Sequence, residues 1–128
     1  MILLDTCALL WLAIEPDRLS SAARKGIAGA GEFVYVSAIS AWEIAWKHRC
    51  RKLRLKLAPE AWWVRALEQH ALTELQISAA IALRSASLPP LHRDPADRFL
   101  IATAQEHNLT LLTPDPAIQQ YPQLKAHW

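Results

Sequence analysis

Apolar residues come along this chain in short blocks whose spacing alternates between strand-like and helix-like. Residues 1–5, Met-Ile-Leu-Leu-Asp, have the pattern of a short buried strand ending in a carboxylate. Cys7 to Ala13 follow with helical character and almost no polar face, and Pro16 ends that helix. Ser20 is placed to cap an Ala-rich helix through Ala28, closed by Gly29-Ala30-Gly31. Phe33-Val34-Tyr35-Val36 is a β run. A helix starting at Ser37 or Ser40 comes next, with Ile39, Trp42 and Trp46 at helical spacing and both tryptophans expected in the core. Beyond it, Leu53, Leu55 and Leu57 alternate with basic residues, as in an extended connector.

Pro59 opens a helix carrying Trp62, Trp63, Ala66 and Leu67. Residues 71–76 read as a strand, and Ser78 caps a helix from Ala79 to about Ala86. Pro89-Pro90 enforces a loop into Asp94-Pro95-Ala96-Asp97. There Asp94 is the N-cap, Pro95 the first helical residue and Asp97 the third, near the positive end of the helix dipole. This helix runs to about His107-Asn108. Leu109 to Thr113 is a strand, Asp115-Pro116 repeats the helix start, and Leu124 to Trp128 is a closing edge strand. Strands alternating with helices predict one α/β domain over residues 1–128, with a parallel central sheet flanked by helices on both faces. Parallel strands bring their C-terminal ends to one edge, where ligands bind. Asp5 and Asp115 both arrive at that rim.

Composition narrows the class without naming it. The chain is 52% apolar and 20% charged, an ordinary globular balance that excludes a disordered tail, and its net charge of +2 is only mildly basic. Met1-Ile2-Leu3-Leu4 has neither the basic region nor the cleavage site of a signal peptide. The longest apolar run, Cys7 to Ile14, is too short to span a membrane, so a cytoplasmic protein is expected. Cys7 and Cys50 fit neither a zinc spacing nor a disulfide scaffold and are expected as small buried or half-buried residues.

Charge patterning adds candidate surfaces. Lys47, His48, Arg49, Arg51, Lys52, Arg54 and Lys56 crowd into one stretch, either a solvated loop or a surface for a phosphate backbone. Arg93 and Arg98 flank the acids of the Asp94 segment, placed to contact a phosphate or to pair with Asp94 and Asp97. His92 reads as a loop residue bonded locally rather than a general base. Trp62 and Trp63 point about 100° apart on a helix and cannot both be fully buried, so one fits a dimer or partner groove.

Asp5, Glu43, Asp97 and Asp115 are the candidate catalytic set, with Asp94 beside them. Each has a plainer reading: Asp94, Asp97 and Asp115 stabilise helix starts, and Glu43 precedes Lys47 at the spacing of a surface ion pair. Several carboxylates meeting at one rim repel each other, and partial burial drives their pKa values up. A divalent cation resolves this. Oxygen ligands without a suitable His or Cys favour Mg²⁺ or Mn²⁺ over zinc. Such an ion recruits phosphate oxygens and activates water for phosphodiester hydrolysis. No Gly-rich phosphate loop is present, leaving phosphate to the metal and basic side chains.

Leu3-Leu4-Asp5-Thr6, the segment Ser37 to Ile44, the segment His92 to Ala104, and Leu111-Leu112-Thr113-Pro114-Asp115 together resemble PIN-domain proteins, in particular the VapC-like toxins of toxin–antitoxin modules. The resemblance runs the length of the chain in the right order. It implies a Mg²⁺- or Mn²⁺-dependent endoribonuclease, inhibited by a small cognate antitoxin and commonly a homodimer. By position, Asp5, Glu43 and Asp97 match the first three family acids, Asp94 the extra acid of the Asp-Pro-x-Asp subgroup and Asp115 the last, more variable one. Thr6 and Thr113 match hydroxyls flanking the site; Arg98 is a supporting residue, and Lys47, Arg49, Arg51, Lys52, Arg54 and Arg93 are the RNA-binding candidates. Two positions depart from the family pattern. Cys50 lies in a loop where relatives often carry Gly, and Pro114 stiffens the approach to Asp115. A non-catalytic RNA- or partner-binding domain of the same fold is the alternative. A receiver- or phosphatase-like use of Asp5 would want a paired Asp motif and a later Lys, neither of which is visible.

Overall fold

Five short strands, β1 (Ile2–Leu4), β2 (Val34–Ser37), β3 (Thr73–Leu75), β4 (Thr110–Leu112) and β5 (Lys125–His127), form one sheet in the computed structural model, which describes residues 1–128. Every pairing is parallel, and the strand order is β3-β2-β1-β4-β5. Ile2 stands opposite Val34 on one side and Thr110 on the other, and Leu4 opposite Leu112. The chain steps outward from β1 through β2 to β3, then returns past β1 to β4. The switch point therefore lies between β1 and β4, the position at which open parallel sheets hold ligands.

Seven helices surround the sheet: α1 (Thr6–Ile14), α2 (Ser21–Ala30), α3 (Ala38–Arg49), α4 (Pro59–His70), α5 (Ala79–Ser87), α6 (Pro95–Glu106) and α7 (Pro116–Gln119). Side-chain oxygens of Asp5, Ser20, Ser37, Ser78, Asp94 and Asp115 accept backbone N–H bonds at the starts of α1, α2, α3, α5, α6 and α7. Each cap satisfies donors a helix cannot pair within itself. Gly31, with φ of 59°, closes α2 in a conformation that costs other residues a steric penalty.

Alternation along the strands divides the core. Leu4, Val34, Val36 and Leu112 pack with Leu9, Ala23, Ile44, Trp62 and Ala66 on one face. Leu3 and Leu111 pack with Leu100, Ile101, Ala104, Ile118 and Tyr121 on the other. The outer strand β5 carries exposed Lys125 and His127, a polar edge that discourages further strand pairing.

Two expectations fail on burial. Trp42 and Trp46 are not core residues: they are 56% and 53% exposed, with their rings stacked at 6.2 Å and 5° between planes. The buried positions of α3 are Ser40 and Ile44, and Trp42 and Trp46 each lie two residues on, about 200° round the helix. Cys7 and Cys50 are likewise free and exposed rather than buried. In the turn after α3, Cys50 keeps a negative φ and Arg51 takes the left-handed conformation, with φ of 59°.

Candidate active site

Helices that follow parallel strands begin at the strands' C-terminal edge, so the acids capping them collect there. Asp5, Thr6, Cys7, Glu43, Lys47, Asp94, Asp97, Pro114 and Asp115 line one cavity of about 320 Å³ at this edge. All five acids singled out from the sequence share it. Asp5, Asp94 and Asp115 cap helices and also face the cavity, while Glu43 reaches it from within α3 and Asp97 from the first turn of α6.

Asp5 is the most enclosed, at 4% exposure. One of its oxygens caps α1 by accepting the Ala8 N–H at 2.7 Å, and the Thr113 side chain stands near enough to pull the carboxyl's pKa down. Thr113 Oγ1 in turn accepts the Asp115 N–H at 3.1 Å. Burial is the main force on the Asp5 carboxyl, with Glu43 and Asp115 adding repulsion, and together they push its pKa up to about 6. The Asp97 carboxyl is pushed further, to about 7, by burial and then by Asp94 and Glu43, against the opposing pull of His92. Two carboxyls raised this far within one cavity are a sign of negative charge held where water solvates it poorly.

Glu43 enters through α3 and is fixed by Thr6, whose hydroxyl donates to Glu43 Oε1 at 2.6 Å. Because that hydrogen is used, the buried Ser40 hydroxyl must donate to Thr6 Oγ1, 2.9 Å away. Lys47 pairs with the other Glu43 oxygen at 3.3 Å. The ion pair and the cavity position are thus both real for Glu43. Cys7 lies at the cavity too, its thiol pushed up first by burial and then by Asp5.

Sequence reasoning missed His92 and misplaced Arg98. His92 is no bystander: its Nε2 lies 3.0 Å from Asp115 Oδ2 and 3.1 Å from Asp97 Oδ2, the three forming a compact cluster of possible ligand atoms. His92 and Cys7 therefore do stand beside the acids, and the tautomer of the ring decides whether Nε2 can act as a ligand. Arg98 turns away from the cavity and pairs with neither Asp94 nor Asp97. Its guanidinium donates to the carbonyls of Ser85, Leu88, Pro89 and His92 at 2.8–3.2 Å, so its donors are taken up by backbone and not left for a phosphate. The C-terminal end of α5 and the loop after it leave those carbonyls without helical partners, which is what a fork of five donors satisfies. Arg93 is exposed beside the cavity acid Asp94.

The basic stretch divides. Lys47 lines the acid cavity, Arg49, Arg51 and Lys52 are exposed around the turn after α3, and Leu53 and Leu55 anchor the connector to the core. Arg54 and Lys56 instead line a separate cleft of about 600 Å³ with Ile14, Leu55, Leu57, Trp62 and Arg65. Trp62 is buried, and Trp63 packs against the core with its indole N–H donating to Glu74 at 2.7 Å. Neither is the exposed aromatic expected for a partner groove, although Trp62 lines that cleft.

The molecule is an α/β domain with a carboxylate cavity at the C-terminal edge of its parallel sheet. The PIN domain family matches residues 2–124, and the chain belongs to it. It is 36% identical to Ribonuclease VapC22 of Mycobacterium tuberculosis over 121 residues, which is 94% of this chain and 91% of that protein. Among solved structures it is similar to VapBC2 of Rickettsia felis bound to a DNA fragment from their promoter (TM-score 0.75, 17% identity, covering 99% of this chain and 98% of that one). It is also similar to FitAcB of Neisseria gonorrhoeae (TM-score 0.64, 25% identity, covering 98% and 96%). No helix is long and apolar enough to cross a membrane.

Proposed function

We propose that this protein is a divalent-metal-dependent endoribonuclease, the toxin of a toxin–antitoxin pair, acting in the cytoplasm. The observation that carries the reading is the meeting of Asp5, Glu43 and Asp97 at one cavity, two of them with pKa values raised to about 6 and 7. Its donor set suits a hard dication. The Asp94 N–H donates to His92 Nδ1 at 3.1 Å, so the neutral ring carries its proton on Nε2 and offers no lone pair there. That leaves carboxylate oxygens, the chemistry of Mg²⁺ or Mn²⁺. Asp5, Glu43 and Asp97 would hold the ion, with Asp94 and Asp115 alongside. When bound, it supplies activation of water and stabilisation of charge on a phosphodiester.

The chain's own groups do the rest. Thr6 and Ser40 hold the Glu43 carboxylate in place, and the Thr113 hydroxyl accepts the Asp115 N–H and fixes the backbone that carries Asp115. Lys47, at the cavity, and the exposed Arg49, Arg51, Lys52 and Arg93 provide positive charge to draw an RNA backbone toward the acids. A small cognate antitoxin as partner is supported by the 36% identity to a VapC ribonuclease and by likeness to the VapBC2 complex. A homodimer is the expected assembly. Asp97→Asn and Asp5→Asn should each lower RNA cleavage roughly a thousandfold or more, and remove growth arrest on expression, while circular dichroism stays that of the folded domain. Cleavage retained in both variants would refute the reading and favour an RNA-binding domain without turnover.

A further inference from the structure

His92 is held from every side. Its backbone N–H donates to the Tyr121 hydroxyl at 2.8 Å, and its carbonyl accepts from Arg98 at 3.2 Å. The Tyr121 hydroxyl passes its own hydrogen to the Pro89 carbonyl at 2.9 Å, and Arg98 also holds Ser85, Leu88 and Pro89. Tyr121 is itself buried at 3% exposure in the core cluster of α6 and β4. The loop between α5 and α6 is therefore clasped to the folded body, and the His92 ring is aimed rather than free.

The ring's orientation has one consistent reading. With Nδ1 accepting from Asp94, the Nε2–H donates to Asp115 Oδ2 at 3.0 Å, while Asp97 Oδ2 stands 3.1 Å from the same nitrogen. Asp115 Oδ1 is already committed to the Ala117 N–H at 2.9 Å, capping α7. The two acids come from elements far apart in sequence, at the start of α6 and after β4, and His92 is the one side chain that bridges them.

We propose that His92 is a positioning residue of the acid cavity. Its Nε2–H holds the Asp115 carboxylate beside Asp97 and fixes which carboxylate oxygens remain for the ion, and the Arg98–Tyr121 clasp sets the ring in place. Ligands that are themselves hydrogen-bonded keep their aim, and losing such an outer partner typically weakens metal affinity about 10–100-fold. The inference rests on the nuclease reading for what the cavity holds, but its test needs no RNA.

Mn²⁺ binding to the full-length, RNA-free protein, measured by titration calorimetry, separates the possibilities. His92→Ala should weaken Mn²⁺ binding about 10–100-fold. His92→Gln, whose amide N–H can stand where Nε2–H stands, should restore it to within a few-fold. Tyr121→Phe, which removes the hydroxyl holding the His92 backbone, should weaken it by a smaller factor. Equal or tighter Mn²⁺ binding by His92→Ala overturns the proposal, because His92 would then compete with the ion for the two acids. Equal binding by His92→Ala and His92→Gln, both weaker than wild type, overturns it as well, since the N–H would not be the feature that matters. If His92→Ala does not fold, the Gln and Phe variants decide alone, and an unchanged affinity in Tyr121→Phe removes the clasp from the proposal. Asp97→Asn is the control for the cavity itself: undiminished Mn²⁺ binding there sinks the nuclease reading, whatever His92 does.

Discussion

The flanks of the sheet and its C-terminal edge are built from opposite physics. On the flanks, Leu3, Leu4, Leu100, Leu111 and Leu112 are wholly buried among apolar neighbours, so each adds stability by leaving water. At the sheet's C-terminal edge, Asp5 just after β1 and Asp97 in the first turn of α6 are shielded from water among other acids, and their raised pKa values record an unfavourable charge state. The fold is held by its sides and strained at one end. Carboxylates kept together in one cavity, as the proposed dication site requires, lower stability while no ion is bound, and the apolar faces offset that loss.

This contrast can be broken on the stabilising side first. Leu100→Ala, at a fully buried site, should lower unfolding free energy by about 2–5 kcal/mol in urea melts. The cavity acids stay in place, so cleavage per folded molecule at low temperature should change little. A loss of cleavage with no loss of stability would mean that the two regions are not separable.

The strained end should show itself in pH. A carboxyl whose folded pKa lies above its unfolded value of 3.8 binds more protons folded than unfolded between the two values. Stability of chelator-treated protein should therefore fall as pH rises from about 4 through about 7 and stay low above it. Asp5 alone accounts for about 3 kcal/mol of that fall, and Asp97 adds in the same direction. Asp5→Asn keeps an oxygen for the Ala8 N–H, so at pH 8 it should be more stable than wild type and its pH profile flatter. Thermal melts at pH 5 and pH 8 check this; a wild-type protein more stable at pH 8 than at pH 5 would contradict the raised pKa values.

The smallest effect is the repair of the strain by an ion. At pH 8, Mn²⁺ at a hundred times its Kd should stabilise wild type by about 2.7 kcal/mol, read as a rise in Tm of roughly 4 °C per kcal/mol. Asp5→Asn and Asp97→Asn should show little of this rise. An equal rise in all three would place the ion outside the acid cavity.

Much of this was legible in the residues. The helix starts at Asp94-Pro95 and Asp115-Pro116 and the Ser20 and Ser78 caps follow local rules of backbone bonding and fall where the pattern puts them, and the strands expected over 1–5 and 109–113 form over Ile2–Leu4 and Thr110–Leu112. Parallel topology then brings the acids to one rim, because strand direction and crossover handedness leave few alternatives. The misreadings share a cause. Trp42 and Trp46 keep helical spacing with Ile39, yet α3 presents Ser40 and Ile44 to the core. Periodicity reports that a helix has faces, not which one the sheet covers.

By itself, then, the sequence determined the elements, their order, the parallel sheet and the acids that could meet, since each depends on neighbours a few residues apart. Only the tertiary structure decided that Arg98 spends its donors on carbonyls of the preceding loop, that Ser40 donates to Thr6, and that His92 bridges Asp97 and Asp115. Those choices span 5 to 34 residues of chain, bringing together groups whose approach is set by how the helices pack on the sheet. Hydrogen bonds and charges act over a few ångströms in space, and separation along the chain does not encode that distance.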